Sequence, residues 1–431
     1  MRLPRLLRYP LLRLLFRERF KLLNELLQNQ QLSRKTLHQQ QHQKLVALLK
    51  YAVQRVPFYH QQLGTMDWSN FPDSLPILHK SDFIHQQDQL LDRQANRSTL
   101  KKGYTGGSTG TPLSYYYNKH KIELMRAAHY RSFMQCGWRP GDPILQFWGA
   151  SQDLSSRPTL AEHIKNTISG ELTVDANHFD EQTLQQWCKT LNQHQPILIR
   201  GYPSILAALA HHMVENKIQP SQKIKGCFST AEVLYPQQRS IIEQAFHCKV
   251  YNQYGSREIP NISCECPHGK QHIYSDLVWL ESLKIDHAEQ LVATSLTNYL
   301  QPLIRYTLGD SGSLEEGNCS CGSPFPMMKM EVCRSNDLIH IADGSQLHPS
   351  KLIHLLDEIE GIEQFQFTQH QLEVITLQVV TLSTLPPSTE ALLKTRFAEQ
   401  ITPAIQLNIE SVQLIDRGAS GKYRFVRSNL S

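Results

Sequence analysis

The segment YTGGSTGTP (residues 104–112) concentrates the groups an anion site needs. Gly106, Gly107 and Gly110 allow positive φ and close backbone approach. Successive N–H groups form a concave anion site, and the hydroxyls of Thr105, Ser108, Thr109 and Thr111 add donors. Phosphate is the natural guest, and a structural turn is the alternative reading. The segment is not a Walker A loop, because Thr111 and Pro112 follow Gly110 where that motif needs lysine. The dinucleotide pattern G-x-G-x-x-G is absent too. A second cluster lies in SCECPHGKQHIYSD (263–276) and NCSCGSPFP (318–326), which offer Cys264, Cys266, His268, His272, Cys319 and Cys321. Thiolates with imidazoles suit zinc, which favours four tetrahedral ligands. Free cysteines are the alternative. Nine cysteines without a secretory signal argue for a reducing compartment, and the expectation is a cytoplasmic protein.

These groups need a scaffold. With 431 residues the chain can hold two or three domains and a large core. Helical spacing of Leu45, Leu48, Leu49, Ala52 and Val56 predicts a helix that Pro57 ends. From about residue 140, strand-like runs (DPILQFWGA, QPILIRG, KIKGCFSTAE, CKVYNQYG) alternate with helical stretches. That alternation predicts an α/β domain with a largely parallel sheet, whose ligands collect at the carboxyl ends of strands. LSYYY (113–117) reads as a strand with alternate rings facing core and solvent. After about residue 337 the pattern becomes α+β: a helix in SKLIHLLDEI, strands in IEQFQFTQ and LEVITLQVV, a helix in TEALLKTRFAEQI and a strand in SVQLID. The glutamine-rich stretch 28–43 reads as a solvated helix or loop.

The motifs YTGGSTGTP, STAEVL (229–234), YNQYGSRE (251–258), PLIRYTLGD (302–310), RSNDLI (334–339) and GKYRF (421–425) occur in one order. Together they resemble the ordered motifs of the adenylate-forming superfamily of acyl-CoA synthetases and ligases. LLKYAVQRVPFYHQQL with LPILHKSDF is similar to the opening of phenylacetate–coenzyme A ligase-like proteins. The Ser-Arg pair in YGSRE leans toward their capsular-polysaccharide-associated branch. The resemblance covers nearly the whole chain apart from the basic N-terminus. It implies an α/β fold: a large N-terminal domain of mixed and parallel sheets with flanking helices, and a small mobile α+β C-terminal domain. The expected boundaries are 1–60 for a helical extension packed on the main domain, 61–336 for that domain, and 337–431 for the small one.

The implied reaction joins a carboxylic acid to ATP as an acyl-adenylate, releases pyrophosphate, and transfers the acyl group to coenzyme A. A carrier-protein thiol or an amine is the alternative acceptor. A zinc-stabilised scaffold without activity is the alternative function. Residues 105–111 would hold phosphates. Ala231, Glu232, Tyr254, Gly255, Ser256 and Arg257 would line the nucleotide and acyl site, and Glu258 would bind Mg²⁺. Asp310 would accept from the ribose hydroxyls, with Arg305 either a ligand contact or a structural ion-pair residue. Arg334 would contact ribose or phosphate, Asp337 would be the hinge, and Lys422 would bring a cation to the α-phosphate. Cys333 stands where the family usually has glycine before this arginine. Relatives carry a zinc knuckle, which maps by position onto Cys266, His272, Cys319 and Cys321 as a structural site. The acyl pocket is expected near residues 200–204, 228–233 and Phe147–Trp148. There Tyr202, Phe228, Trp148 and Tyr254 would suit a flat or aromatic acid.

The net charge of +5 is concentrated in MRLPRLLRYPLLRLLFRERFK, where six arginines and Lys21 face one acid, Glu18. Interrupting arginines exclude a signal-peptide h-region, and no run reaches the roughly 18 apolar residues a membrane span needs. The segment suits either packing on the protein itself or contact with an anionic membrane surface or a biosynthetic complex. No basic stripe with interleaved aromatics occurs elsewhere, which argues against a nucleic-acid partner. Oligomers are compatible with the sequence.

Overall fold

The computed structural model describes residues 4–64, 71–72, 74–104, 114–148, 160–176, 179–285, 288–334, 339–342, 346–347, 352, 355–356, 359, 361–381, 384–415 and 425–430. The chain opens with helices α1 (Arg5–Leu15), α2 (Arg17–Asn29), α3 (Arg34–Arg55), α4 (Pro57–Leu63) and α5 (Lys80–His85). A hairpin of β1 (Lys101–Tyr104) and β2 (Ser114–Tyr117) precedes α6 (Lys119–Phe133). An alternating run follows: β3 (Ile144–Trp148), α7 (Leu160–Ser169), β4 (Glu171–Asp175), α8 (Glu181–His194), β5 (Leu198–Gly201), α9 (Pro203–Glu215), β6 (Gly226–Thr230), α10 (Pro236–Phe246) and β7 (Val250–Tyr254). Then come β8 (Ser263–Glu265), β9 (Gln271–Ile273), β10 (Val278–Ile285), β11 (Ala288–Ser295), β12 (Tyr306–Glu315) and β13 (Met327–Arg334).

One eleven-stranded sheet in the order β10-β11-β12-β13-β9-β8-β7-β6-β5-β3-β4 joins these strands. From β4 to β7 every pairing is parallel, as the alternation predicts. Ile144, Leu145 and Phe147 of β3 are all buried, the continuous apolar run of a strand covered on both faces. One face packs on α8, α9 and α10, and the other on α6 and the N-terminal helices. From β7 through β10 the pairings are antiparallel, so the sheet is mixed as the resemblance implied, although strand–helix alternation alone pointed only to its parallel part.

Pro57 serves two elements. It follows the end of α3 and begins α4, where its fixed φ and missing N–H suit the first helical position. Gln41, in the stretch read as solvated, is buried and donates to the Val278 carbonyl at 2.9 Å, so α3 packs on the sheet through a polar residue as well. The rings of β2 do not alternate. Tyr115, Tyr116 and Tyr117 are all half-buried, because the two-stranded ribbon is not covered on a single face.

Helix α1 inverts the usual burial. Leu12 and Arg8 face the protein, while Leu6, Leu7, Leu11, Leu14 and Leu15 are exposed. Leu7, Leu11, Leu14 and Leu15 follow i, i+4, i+7, i+8 spacing and so share one stripe. Gly170, at φ +71°, leaves room for the Arg8 guanidinium; a Cβ there would lie 1.9 Å from Arg8 Nη1. No helix among the described residues is long and apolar enough to cross a membrane.

Toward the C-terminus lie the short strands β14 (Ile339–His340) and β15 (Gln346–Leu347). They precede β16 (Ile362–Gln371), β17 (Val374–Thr381), α11 (Pro387–Gln400), β18 (Gln406–Ser411) and β19 (Val426–Ser428). The last four strands form a sheet in the order β18-β17-β16-β19 with its own core, including Phe367, Leu377, Leu393 and Phe397. The strand expected in SVQLID lies earlier, ending at Ser411. Its register is set by parallel pairing with β17 from Val374↔Gln406 to Val379↔Ser411. The helix expected in SKLIHLLDEI falls mostly outside the described residues. The Phe425 ring meets Tyr235 of the large sheet's layer edge-on, with centroids 4.4 Å apart.

Candidate active site and metal centre

Motifs far apart in sequence meet beside the carboxyl end of β7. Tyr254, the last residue of that strand, donates its hydroxyl to Asp310 on β12 at 2.9 Å. Tyr306, four residues before Asp310, approaches the Glu258 carboxylate at 3.4 Å. Glu258 is buried and makes no salt bridge among the described residues. A buried carboxylate with no direct ion-pair partner offers oxygen ligands of the kind a hard metal cation takes. The turn that carries it is tightly built. Ser256 N–H donates to the Ile259 carbonyl at 3.0 Å, and Ser256 Oγ accepts from Ile259 N–H at 3.0 Å. A Cβ on Gly255 would stand 2.8 Å from Asn261 N, so glycine is needed there for close approach. Arg257 is half-buried on the same turn.

Ala231 follows β6 at φ +72°, a left-handed conformation that costs a residue with a Cβ about 1–2 kcal/mol. Such strain at a strand's carboxyl end is common at ligand sites. The neighbouring Glu232 accepts from the N–H of Ser204 at 3.1 Å, in the first turn of α9. Its carboxylate thus sits on the positive end of a helix.

Arg305 resolves to the structural alternative. Its guanidinium is buried, pairs with Glu281 through Nη2 at 2.9 Å and Nε at 3.3 Å, and donates to the Leu75 carbonyl. The residue itself adopts φ +49°. Arg334 pairs its backbone with Asp310 across β13 and β12, which brings the first residue of the RSNDLI motif beside the site. Thr105, Gly106, Gly107, Ser108, Thr109, Gly110, Thr111, Asp337 and Lys422 lie outside the described residues.

Sequence reasoning missed Lys121. It sits in the first turn of α6, which Asn118 caps by accepting from Lys121 N–H at 3.0 Å. Its buried ammonium donates to the Glu258 carbonyl at 2.7 Å and lies 5.4 Å from the Tyr115 ring centroid. Burial pushes its pKa down to about 8, against the opposing pull of Glu258. A lone lysine just past a glycine loop carries no motif, so no sequence signal singled it out.

The expected aromatic pocket needs correction. Phe228 is fully buried between Phe133 and Tyr251, and Tyr202 packs in the core beneath the α9 layer. Both therefore serve packing. Trp148 and Tyr254 are only half-buried. Beside Trp148 stands Arg200, whose guanidinium lies 5.2 Å from the indole centroid.

The metal-type cluster is separate. Cys266, His272, Cys319 and Cys321 offer ligand atoms that all lie within 4.8 Å of one another. Cys266 follows β8, His272 lies on β9, and the other two come from the β12–β13 connection. His272 Nδ1 lies 3.0 Å from the Phe325 carbonyl, and a donated N–H there leaves Nε2 facing Cys321 Sγ at 3.3 Å. This is the outer-shell arrangement that fixes a metal-binding tautomer. Burial lowers the His272 pKa, which favours the neutral ligand form. Cys264 is buried elsewhere, with its thiol pushed up to about 12 by burial, and His268 contacts Ser320 at 2.9 Å. Neither belongs to the cluster.

The fold is that of an adenylate-forming ligase. It is similar over 91% of this chain to 2-hydroxyisobutyryl-CoA ligase in the postadenylation state in complex with R3-HIB-AMP, covering 89% of that chain with a TM-score of 0.69 and 18% identity. The model of the CapK C-terminal domain matches residues 339–429. Protein CapK of Staphylococcus aureus is 26% identical over 378 residues, 83% of this chain and 80% of that protein. Phenylacetate-coenzyme A ligase of Thermus thermophilus is 25% identical over 344 residues, 74% of this chain and 75% of that enzyme. The chain is thus similar to CapK and to a phenylacetate-coenzyme A ligase over most of its length, and its C-terminal part matches the CapK C-terminal domain.

Proposed function

We propose that this protein activates a carboxylic acid with ATP as an acyl-adenylate, releases pyrophosphate, and transfers the acyl group to coenzyme A. The observation that carries this reading is the convergence of Tyr254, Glu258 and Asp310, from two separate motifs, at the carboxyl end of β7. The similarity to a phenylacetate-coenzyme A ligase supports it.

In this reading Asp310, held by Tyr254, accepts from the ribose hydroxyls. The hydroxyls and N–H groups of residues 105–111 hold the β- and γ-phosphates. Glu258 would hold Mg²⁺, which supplies charge neutralisation at the phosphates when bound. Lys121 fixes the Glu258 backbone from beneath. Lys422 donates to the α-phosphate oxygens as the acid's carboxylate attacks in line, a contact strongest in the transition state. Asp337 is the hinge about which the C-terminal part turns for the second half-reaction. Cys266, His272, Cys319 and Cys321 would hold a structural zinc; four protein ligands leave no open position for chemistry.

ATP–pyrophosphate exchange against a panel of acids, with and without coenzyme A, tests the reading. Acid-dependent exchange is expected, and Lys422→Ala should lose about 10²–10³-fold of it with ATP affinity kept. Unchanged exchange in that variant removes the lysine's role. Exchange without thioester formation points to a carrier-protein thiol or an amine as acceptor. No exchange and no ATP binding would leave a zinc-stabilised scaffold.

A second reading concerns location. The exposed leucine stripe of α1, flanked by exposed Arg13, Arg17 and Lys21, fits the surface of an anionic bilayer. Sedimentation with phosphatidylserine vesicles should fall when Leu7, Leu11, Leu14 and Leu15 are changed to serine. Equal sedimentation of both forms would exclude it.

A further inference from the structure

Residues 146, 148, 200 and 228 share one face of the parallel strands, since Gln146 pairs with Arg200 and Arg200 with Phe228 in register. Phe228 is sealed by rings, but its neighbour is a cation. Arg200 Nη1 lies 3.4 Å from Gln146 Oε1, and Nη2 lies 3.3 Å from His129 Nε2 on α6. Its buried Nε has no partner. Among the described residues no carboxylate pairs with it directly; Glu171 pulls on it at longer range and lies 3.5 Å from Arg126. His129 brings no compensating negative charge. Burial, with Arg200 and Arg126 beside it, holds its pKa well below the ordinary value, so it is neutral. Burial likewise brings Arg200 down to about 10, which leaves it charged at neutral pH.

A guanidinium has five N–H donors, and two are engaged here. A buried guanidinium whose only compensating carboxylate acts at longer range keeps much of its desolvation cost. Yet Arg200, His129 and Trp148 all retain some accessible surface, so the cluster is not sealed from outside. An arginine fork suits a carboxylate, phosphate or sulfate bidentately.

We propose that Arg200, with Gln146 and His129, recognises a second anionic group at the far end of the carboxylic acid that this protein activates. The proposal rests on the activation reading above. It concerns the non-reacting end, because a carboxylate clamped by a guanidinium is a poor nucleophile. The substrate class is then an acid with two acidic groups, and Trp148 contacts the chain between them.

Matched probes test this: phenylacetate against 4-carboxyphenylacetate, and butyrate against glutarate. The wild-type protein should favour the diacid of at least one pair in acid-dependent ATP–pyrophosphate exchange. Arg200→Leu should reduce that diacid-to-monoacid ratio about 10- to 100-fold, and Arg200→Lys should restore part of it. Calorimetric titration of 4-carboxyphenylacetate and glutarate into the nucleotide-free protein gives an independent readout, with melting curves checking that the variants fold. Diacid binding that Arg200→Leu abolishes, without exchange for any acid, keeps the anion site and removes the activation reading. Exchange that favours monoacids in both pairs, or an unchanged ratio in Arg200→Leu, overturns the anion site and leaves activation standing. Absence of both diacid binding and exchange also overturns it.

Discussion

The metal-type cluster and the nucleotide-type cluster are built in opposite ways. Cys266, His272, Cys319 and Cys321 come from two short antiparallel connections, and their ligand atoms already lie within 4.8 Å of each other. Tyr254, Glu258, Asp310 and Lys121 come from a strand end, a turn, a bulged strand and a helix start, and they touch mainly through single hydrogen bonds. The first is a closed set whose geometry the backbone fixes. The second is assembled from separate elements, with Lys121 of α6 holding the Glu258 carbonyl from outside the two motifs. Stability is thus concentrated in one and adaptability in the other.

The strongest way to break this contrast is to remove the metal. If zinc fills the cysteine–histidine set, metal analysis should find one equivalent. Chelation or Cys321→Ala should lower stability by several kcal/mol, a fall of about 3–5 °C in Tm. A protein purified without zinc, or one indifferent to chelation, would erase the distinction.

The next effect is that of the ion pair behind the second cluster. Arg305→Ala should cost about 3–5 kcal/mol in urea unfolding, because Glu281 is left buried and unpaired. The double change Arg305→Met with Glu281→Leu should recover much of it. If Arg305→Ala instead raised the KM for ATP with stability intact, the residue would belong to the site.

The smallest effect comes from Lys121. Its folded pKa of about 8 lies below the ordinary 10.5, so between those values the unfolded chain holds a proton that the folded chain has released. Stability should therefore rise as pH increases from 8 to 10.5, by at most about 1.4 kcal/mol per unit. Below pH 8 both states are protonated and the burial cost is fully present. Lys121→Met should flatten that rise in denaturant titrations; an unchanged slope would put the ammonium in contact with solvent.

Much of the parallel half was legible, because β3, β5, β6 and β7 are short apolar runs separated by amphipathic helices. The antiparallel half was not. Strands such as Ser263–Glu265 and Gln271–Ile273 are three residues long and mix polar with apolar side chains, so neither period shows. The zinc-type ligands were readable because thiols and imidazoles are scarce and chemically distinctive. Lys121 and Arg200 were not, since lysine and arginine are common, and only their burial away from a direct ion pair marks them out. Phe228 and Tyr202 misled for the opposite reason: aromatic residues near a pocket in sequence are as useful to the core as to a ligand.

The edge-on meeting of Tyr235 and Phe425 has a consequence for timing. Phe425 stands three residues beyond Lys422, and Tyr235 stands four residues beyond Ala231. Swinging the four-stranded sheet away would have to part these rings and forgo about 1 kcal/mol of ring–ring attraction. The two rings therefore act as a clasp of modest strength. An attraction of that size would favour contact of the rings over their separation about fivefold.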